Sequence, residues 1–476
     1  MAIWELLSVE LLTASLGLGL LGLGLLVPKG QKRGLGYLAT LGLLGIAVLT
    51  FLLREAKGVV WEGYIIDPLG TYFKLLFLFA AVLTCISSFE YIGRLGHGEG
   101  EYYALIVLST LGMMILASAG ELITLYLGLE LMTISLCILA CYRRGDMKSA
   151  EAGIKYIILG ALSSAILLYG LSLLYGSTGS TFIKEIGLVV ASGGVTPLMV
   201  VGIIFVLGGL AFKISAVPFH MWAPDVYEGA PTPVTAFLSV ASKAAGFAAF
   251  LRVFFVGLSE SHPLWAELII ALTVLSVVAG NLVAIPQKNI KRLLAYSSIS
   301  QAGYLLLGIV AFSALGVGAI LYHSMLYVFA NMGAFMVATI FYNTDGSDEI
   351  RDYAGLARRS PLLAAVMLFS LLSLAGIPPL AGFVSKFYLF MAVIDRGYIW
   401  LAILAVLMSM VSVYYYLQVV KVMYLGDPPP GKPAITVPLG VQVALACSLA
   451  VLFFFGLYPT PLTNYAFNTA AAFFTP

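Results

Sequence analysis

Long apolar runs separated by short polar connections make up almost the whole chain. Crossing roughly 30 Å of hydrocarbon takes about 20 helical residues at 1.5 Å each. Runs of that order lie near 3–27, 35–53, 68–90, 102–119, 121–142, 149–175, 197–229, 232–258, 264–285, 290–312, 314–342, 360–394, 397–425 and 436–457. They predict an all-α polytopic membrane protein with about fourteen transmembrane helices. The first run is long enough to stay in the bilayer as a helix, so no cleavable signal peptide is expected. Composition agrees: of 476 residues, 61% are hydrophobic and only 10% charged, and the mean hydropathy is +1.02, well beyond a soluble domain.

The basic residues give an independent check, because positive charge is retained on the cytoplasmic side. Odd-numbered connections carry Lys29, Lys32, Arg33, Arg94, Arg143, Arg144, Lys148, Lys288, Lys291, Arg292, Arg351, Arg358, Arg359 and Lys432, whereas even-numbered ones carry Arg54, Lys57, Lys184 and Arg396. A shift of one span would scramble this segregation. The count is therefore even, with both termini expected on the non-cytoplasmic side of the cell inner (plasma) membrane. A net charge of +2 with no concentrated basic face excludes a nucleic-acid partner; the partner of most of the surface is the lipid bilayer. The four cysteines, Cys85, Cys137, Cys141 and Cys447, all fall inside apolar runs. They form no grouping with the spacing of a zinc or iron–sulfur site, so no metal is expected.

Seven basic residues remain inside spans: Lys74, Lys155, Lys213, Lys243, Arg252, Lys386 and Lys421. A lysine at mid-bilayer costs about 2.5–3.5 kcal/mol on insertion scales, so it persists where it is paired, faces water or can reach an interface. Lys74, Lys155, Arg252 and Lys421 lie near span ends, and snorkelling accounts for them. Lys213, Lys243, Lys386 and the carboxylate of Glu130 lie deeper or beside helix breaks. Glu130 is nine residues into its span, roughly 14 Å at 1.5 Å per residue, close to the midplane.

In LAFKISAVPFHMW, Lys213 precedes Pro218, and further prolines continue the interruption; in SLLSLAGIPPLAGFVSKFYLF, Pro378 and Pro379 precede Lys386. Proline cannot donate the backbone bond that a helix needs, and unwound backbone at membrane depth survives only beside protein or a water-filled cavity. Paired broken helices in corresponding positions point to inverted repeats with a transport path between them. Lys243 sits among Ala, Ser and Gly, small neighbours that place it toward the bundle. His220, two residues after Pro218, is a candidate proton relay, with a simply hydrogen-bonded histidine as the alternative.

Four segments, LGLELMTISL, VPFHMWAPDVYEGAPTPVTAFLSVASKAAGF, IKRLLAYSSISQAGYLLLG and LSLAGIPPLAGFVSKFYLF, resemble the antiporter-like N-type subunits of respiratory complex I, the proton-pumping NADH:quinone oxidoreductase. The resemblance runs from about residue 65 to 425. It implies fourteen helices arranged as an N-terminal three-helix segment (1–100), two inverted five-helix repeats (101–260 and 261–426), each with a broken helix, and a C-terminal helix and tail (427–476). It implies that Glu130 pairs with Lys213, and that Lys243 connects through central water and polar groups to Lys386. It also marks Lys155 as a contributor. His323, beside Tyr327 and Asn331, is a further relay candidate that no motif assigns. M-type relatives usually carry glutamate where Lys386 stands, and VYEGAP looks like the N type. After Tyr458 too few residues remain for the long lateral helix of the L type.

The resemblance implies a subunit with no cofactor of its own, since no phosphate loop, flavin fingerprint or cluster ligands occur in the chain. Quinone, flavin and iron–sulfur clusters would belong to partner subunits, and the direct partners would be an M-type subunit and the small K-, J- and A-type membrane subunits. Two other readings stay open at this point: a sodium/proton antiporter, stand-alone or of the Mrp type, and a structural membrane subunit whose buried charges only fix assembly.

Overall fold

The computed structural model describes residues 3–28, 32–61, 63–95 and 98–474; Lys29 of the first basic connection lies outside them. The helices are α1 (Ser8–Leu26), α2 (Arg33–Leu52), α3 (Pro68–Leu95), α4 (Glu99–Ala117), α5 (Leu122–Ala140), α6 (Met147–Thr178), α7 (Ile183–Gly193), α8 (Pro197–Lys213), α9 (Trp222–Gly229), α10 (Thr232–Gly257), α11 (His262–Ala284), α12 (Ile290–Val310), α13 (Ala314–Asp345), α14 (Pro361–Ala375), α15 (Ala381–Asp395), α16 (Ile399–Leu425), α17 (Leu439–Leu457) and α18 (Thr460–Phe474). A hairpin of β1 (Gly58–Val60) and β2 (Tyr64–Ile66) joins α2 to α3.

Among the described residues, twelve helices are long and apolar enough to cross a membrane. The two other expected spans, 197–229 and 360–394, are the proline-broken ones, and each divides into two short helices. Local chemistry fixes many of the ends. Asp146 caps α6 by accepting from the Lys148 and Ser149 amides. Asn289 does the same for α12, while Thr196 caps α8 ahead of Pro197, leaving fewer helix-end amides unsatisfied.

At the first break α8 stops at Lys213 and Ser215 takes a φ of 57°. The Val217 amide donates to Ser276 Oγ at 2.9 Å and the Trp222 indole to the Phe212 carbonyl at 3.0 Å, so freed backbone groups find partners inside the bundle. The second break turns on Gly376, φ 86°, and resumes with the Gly382 amide donating to Ser373 Oγ at 3.2 Å. Both X–Pro bonds, Val217–Pro218 and Pro378–Pro379, are cis. α10 is unbroken, yet it contains π-helical turns at Leu238–Ser242 and Leu251–Gly257, on either side of Lys243.

Nearly every residue of α10, α12 and α13 is buried, whereas α1, α16 and α17 present most of their surface outward. α13 packs against α3, α12, α14, α15, α17 and α18 and forms the axis of the bundle's second half. Elements not foreseen are the short β1–β2 hairpin in an otherwise all-α chain, the amphipathic α7 between spans, and α18, which occupies the expected tail and packs on α13 and α3.

The second break tolerates no side chain at Gly382, where a Cβ would sit 1.7 Å from the Ser373 carbonyl oxygen. Gly382→Ala should therefore sharply lower the amount of folded chain recovered from membranes, whereas Gly19→Ala, with nothing within 4 Å of the new methyl, should not; immunoblots of detergent-solubilised membranes check both.

Candidate functional site

The deep lysines are all buried, and each solves its desolvation in the same way. Lys213, the last residue of α8, donates to Thr133 Oγ1 on α5 at 2.7 Å. Lys243 on α10 donates to the Ser298 carbonyl at 2.9 Å and to Ser298 Oγ at 2.8 Å on α12. Lys386 on α15 donates to the Ala375 carbonyl at 3.0 Å and to Ser409 Oγ at 2.9 Å. The acceptors are hydroxyls and carbonyls; among the described residues no carboxylate closes an ion pair with any of these three. Ala375 ends α14, where the helix dipole adds attraction for a cation. Lys386 also stands 4.4 Å from the Tyr304 ring centroid and opens onto a cavity of about 300 Å³ whose wall includes Gly376, Phe390 and Met410.

The Glu130–Lys213 contact expected from the resemblance is thus not closed. Thr133 takes the ammonium instead, and it lies one helical turn from Glu130, a spacing that puts the two side chains roughly 5–6 Å apart at Cβ. Glu130 remains near enough for its charge to act on Lys213, and one of its carboxylate oxygens is buried without a partner. The ammonium therefore has two alternative acceptors on one helix face, an uncharged hydroxyl that it uses and a carboxylate that it does not.

Lys213 and Lys243 belong to touching helices. Gly246, one turn beyond Lys243, lies against the first break: a Cβ there would be 2.7 Å from Ile214 Cγ2 and 3.6 Å from Lys213 Cβ. Between Lys243 and Lys386 runs a polar stripe on α13, with His323, Tyr327 and Asn331 at successive four-residue steps. His323 Nδ1 lies 3.0 Å from Ser385 Oγ, the residue before Lys386, and its ring stacks toward Tyr327 with centroids 6.2 Å apart. Asn331 donates to Ser239 Oγ on α10 at 2.5 Å. Tyr227 and Tyr327 both face Ser298, which makes that serine the junction between α9, α10, α12 and α13. His323 Nε2, Asn331 Oδ1 and Gln301 Oε1 are buried with no protein partner, and the Tyr327 and Tyr227 hydroxyls face Ser298 without closing a hydrogen bond to it. Buried polar atoms are rarely left so, and ordered water is the usual partner.

Other expected residues lie elsewhere. Lys155 is part-exposed and bound to Glu151 at 2.6 Å and Asp225 at 2.5 Å. Asp225 in turn meets Arg292, and Arg292 meets Glu228, in a chain of charges away from the deep lysines. His220 is half-buried at the first break, with Nδ1 unpartnered and no hydrogen bond to a deep lysine. Lys421 is exposed, as snorkelling requires. Lys74 and Arg252 do not snorkel: both are 3% exposed, and they pair with Glu10 and Asp67. Asp67 lies just ahead of the run 68–90, and Glu10, seven residues into the run 3–27, was not singled out from sequence. Ser298 and Asn331 were legible only as polar residues on helices that prove to be buried throughout. Among the described residues no group of His, Cys, Asp and Glu side chains could hold a metal ion.

Removing the hydroxyl that holds Lys213 separates its two acceptors. Thr133→Val should leave a buried ammonium short of one hydrogen bond, a loss of about 1–3 kcal/mol, read as a lowered thermal unfolding midpoint of the purified protein. A second substitution, Glu130→Gln, should deepen the loss, because it removes the negative charge that acts on the Lys213 ammonium.

Residues 119–412 match the family model described as NADH:quinone oxidoreductase/Mrp antiporter, transmembrane. A curated relative from Moorella thermoacetica named NADH-quinone oxidoreductase subunit N is 69% identical over 476 residues, covering 100% of both chains. Another so named, from Desulforamulus reducens, is 52% identical and covers 99% of this chain and 98% of its own. Among solved structures, a chain of respiratory complex I from Thermus thermophilus with bound aureothin superposes with a TM-score of 0.81 at 33% identity, covering 96% of this chain and 98% of that one. A chain of the Mrp complex from Dietzia superposes with a TM-score of 0.90 at 21% identity, covering 100% and 98%, a likeness of fold. With its broken helices and buried lysines, and with identity sustained over the full length, this chain belongs to the NADH-quinone oxidoreductase subunit N family of antiporter-like membrane subunits.

Proposed function

We propose that this chain is a proton-translocating membrane-arm subunit of a complex I-type quinone oxidoreductase, without redox chemistry of its own. The observation that carries the reading is the line of buried lysines resting on neutral oxygen acceptors, joined by polar side chains whose free atoms call for water. Glu130, Lys213, Lys243 and Lys386 are the proton-transfer groups, with His323 and Tyr327 between the last two. The lysines fall in two repeats, 101–260 and 261–426, each containing one broken helix.

A carboxylate beside an ammonium favours the charged form of both, whereas a hydroxyl favours the ammonium far less. With Lys213 on Thr133, the pair with Glu130 is loosened, and Lys213 releases its proton more readily toward Lys243 across the contact at Gly246. Lys243 passes charge through Ser298, Tyr327 and His323 toward Lys386, which reaches the cavity beside Ser409. Lys213 then takes up a replacement proton from water, and Glu130 closing on the new ammonium favours that uptake and restores the starting state. Moving one charge against 100 mV takes about 2.3 kcal/mol, a scale that rearranging one buried ion pair can meet. The driving energy comes from quinone reduction in partner subunits, which also hold the flavin and iron–sulfur clusters. The M-type and small membrane subunits adjoin this chain in the cell inner membrane, and both termini face away from the cytoplasm.

Lys243→Ala in the whole complex should leave the assembled amount unchanged while quinone reduction and proton release fall about tenfold or more, equivalent to about 1.4 kcal/mol per tenfold. Unchanged turnover and pumping would mean a structural subunit. Sodium-dependent exchange by the isolated chain in liposomes would mean an antiporter.

A further inference from the structure

Outside the lysine line, the most completely built polar cluster lies at the other end of Lys243's own helix. Arg252, nine residues on and roughly 13 Å further along α10 at 1.5 Å per residue, is buried and has every side of its guanidinium engaged. Nη1 and Nη2 grip Asp67 Oδ2 and Oδ1 at 2.7 and 2.6 Å, and Nε donates to the Ala117 carbonyl at the end of α4, 2.9 Å away. Two parallel bonds to one carboxylate fix orientation as well as distance.

Asp67 is itself held. It precedes α3 and accepts from the Gly70 amide at 2.8 Å, and Gly70 is where a Cβ would approach the guanidinium to 3.3 Å. Two turns along α3, Lys74 acts on Asp67 through space and closes a 2.5 Å ion pair with Glu10 of α1. Glu10 accepts from the Tyr64 hydroxyl of β2 at 2.7 Å. Four alternating charges on α1, α3 and α10, with Asp67 at the head of α3, thus sum to zero; Glu10, Lys74 and Arg252 are buried and Asp67 is partly exposed. Snorkelling explains neither cation, because neither head group reaches out.

The cluster constrains Lys243. The π-helical turns on either side of it, Leu238–Ser242 and Leu251–Gly257, are the kind of register that recurs at functional sites, and one of them carries Arg252. Lys243 faces α12, and Arg252 faces α3 and α4. A rigid rotation or slide of α10 that carried Lys243 off Ser298 would also pull Arg252 from a bidentate grip.

We propose that Arg252 is a positioning residue for Lys243: clamped by Asp67 and the Ala117 carbonyl, and backed by the Glu10–Lys74 pair, it sets the rotation and height of α10 that bring Lys243 onto Ser298. The inference rests on the reading of Lys243 as a proton carrier. With the far end clamped, movement of Lys243 is confined to the Leu238–Ser242 turn.

The test uses the whole complex in sealed membrane vesicles, comparing Asp67→Asn, Arg252→Lys, the exchange Asp67→Arg with Arg252→Asp, and Lys243→Ala. Assembled amount, quinone-reductase turnover per assembled complex and protons released per quinone are measured for each. The clamp predicts that Asp67→Asn assembles with turnover per complex several-fold lower, that Arg252→Lys retains most of the turnover Asp67→Asn loses, and that the exchange recovers part of it. If Asp67→Asn abolishes assembly, Arg252→Lys carries the test: it keeps the charge but loses the Ala117 bond and the fork, and its turnover per complex must fall measurably. Turnover per complex that stays at the parent value in both single variants, while Lys243→Ala is impaired, overturns the clamp alone. Full activity in Lys243→Ala overturns the proton-carrier reading and the clamp with it.

Discussion

Hydration lost by an ammonium inside hydrocarbon has to be replaced by oxygen atoms of the protein, and the kind of oxygen decides what the lysine can do afterwards. Among the described residues most buried cations fall into two classes, with Lys291 between them, donating to the Ala230 carbonyl at 2.9 Å and standing 3.6 Å from Asp348. Lys74 meets Glu10, Arg252 meets Asp67 and Arg359 meets Asp345, each within 2.5–2.7 Å of a carboxylate. Lys213, Lys243 and Lys386 meet hydroxyls and carbonyls instead. A carboxylate partner holds the proton in place, because losing it strands a buried anion. A neutral partner holds it loosely. The first class is suited to fixing helices and the second to passing charge.

The fold supplies those neutral acceptors where an ordinary bundle has none. Ending α14 at the second break exposes the Ala375 carbonyl to Lys386, and ending α8 at Lys213 frees its stem to cross to α5. Packing follows the same demand. Gly246 is bare where α10 meets the first break, and Gly382 is bare where α15 starts against Ser373, so the interrupted helices approach closely enough for side chains of different helices to share hydrogen bonds. For Lys213 and Lys386 the break and the lysine are therefore one feature, whereas Lys243 finds its acceptors on the continuous α12.

Much of this was legible in the sequence, for identifiable reasons. Apolar run length fixed the helices because bilayer thickness leaves little freedom, and the prolines near 218 and 378 marked the breaks because no side chain substitutes for a missing amide. Lys213, Lys243 and Lys386 stood out as charges among hydrocarbon. Pairing did not read out. Lys213 has two candidate acceptors one turn apart, Glu130 and Thr133, and composition favours the charged one while geometry uses the hydroxyl. Lys74 and Arg252 looked like snorkelling residues because their carboxylates, Glu10 and Asp67, stand far from them in the sequence and only the fold brings each pair together. α18 was missed because Asn and Thr residues thin its apolar pattern, and only its packing on α13 and α3 shows why it is helical.

The account depends on water bridging the polar atoms that protein leaves free along α13. The most direct measurement is a density map of the assembled complex at a resolution that places individual waters. Ordered waters bonded to His323 Nε2, Tyr327 OH and Asn331 Oδ1, and linking Ser298 toward Lys386, are the predicted result. A dry, close-packed space around those atoms, with Lys243 and Lys386 separated by apolar side chains alone, would contradict it.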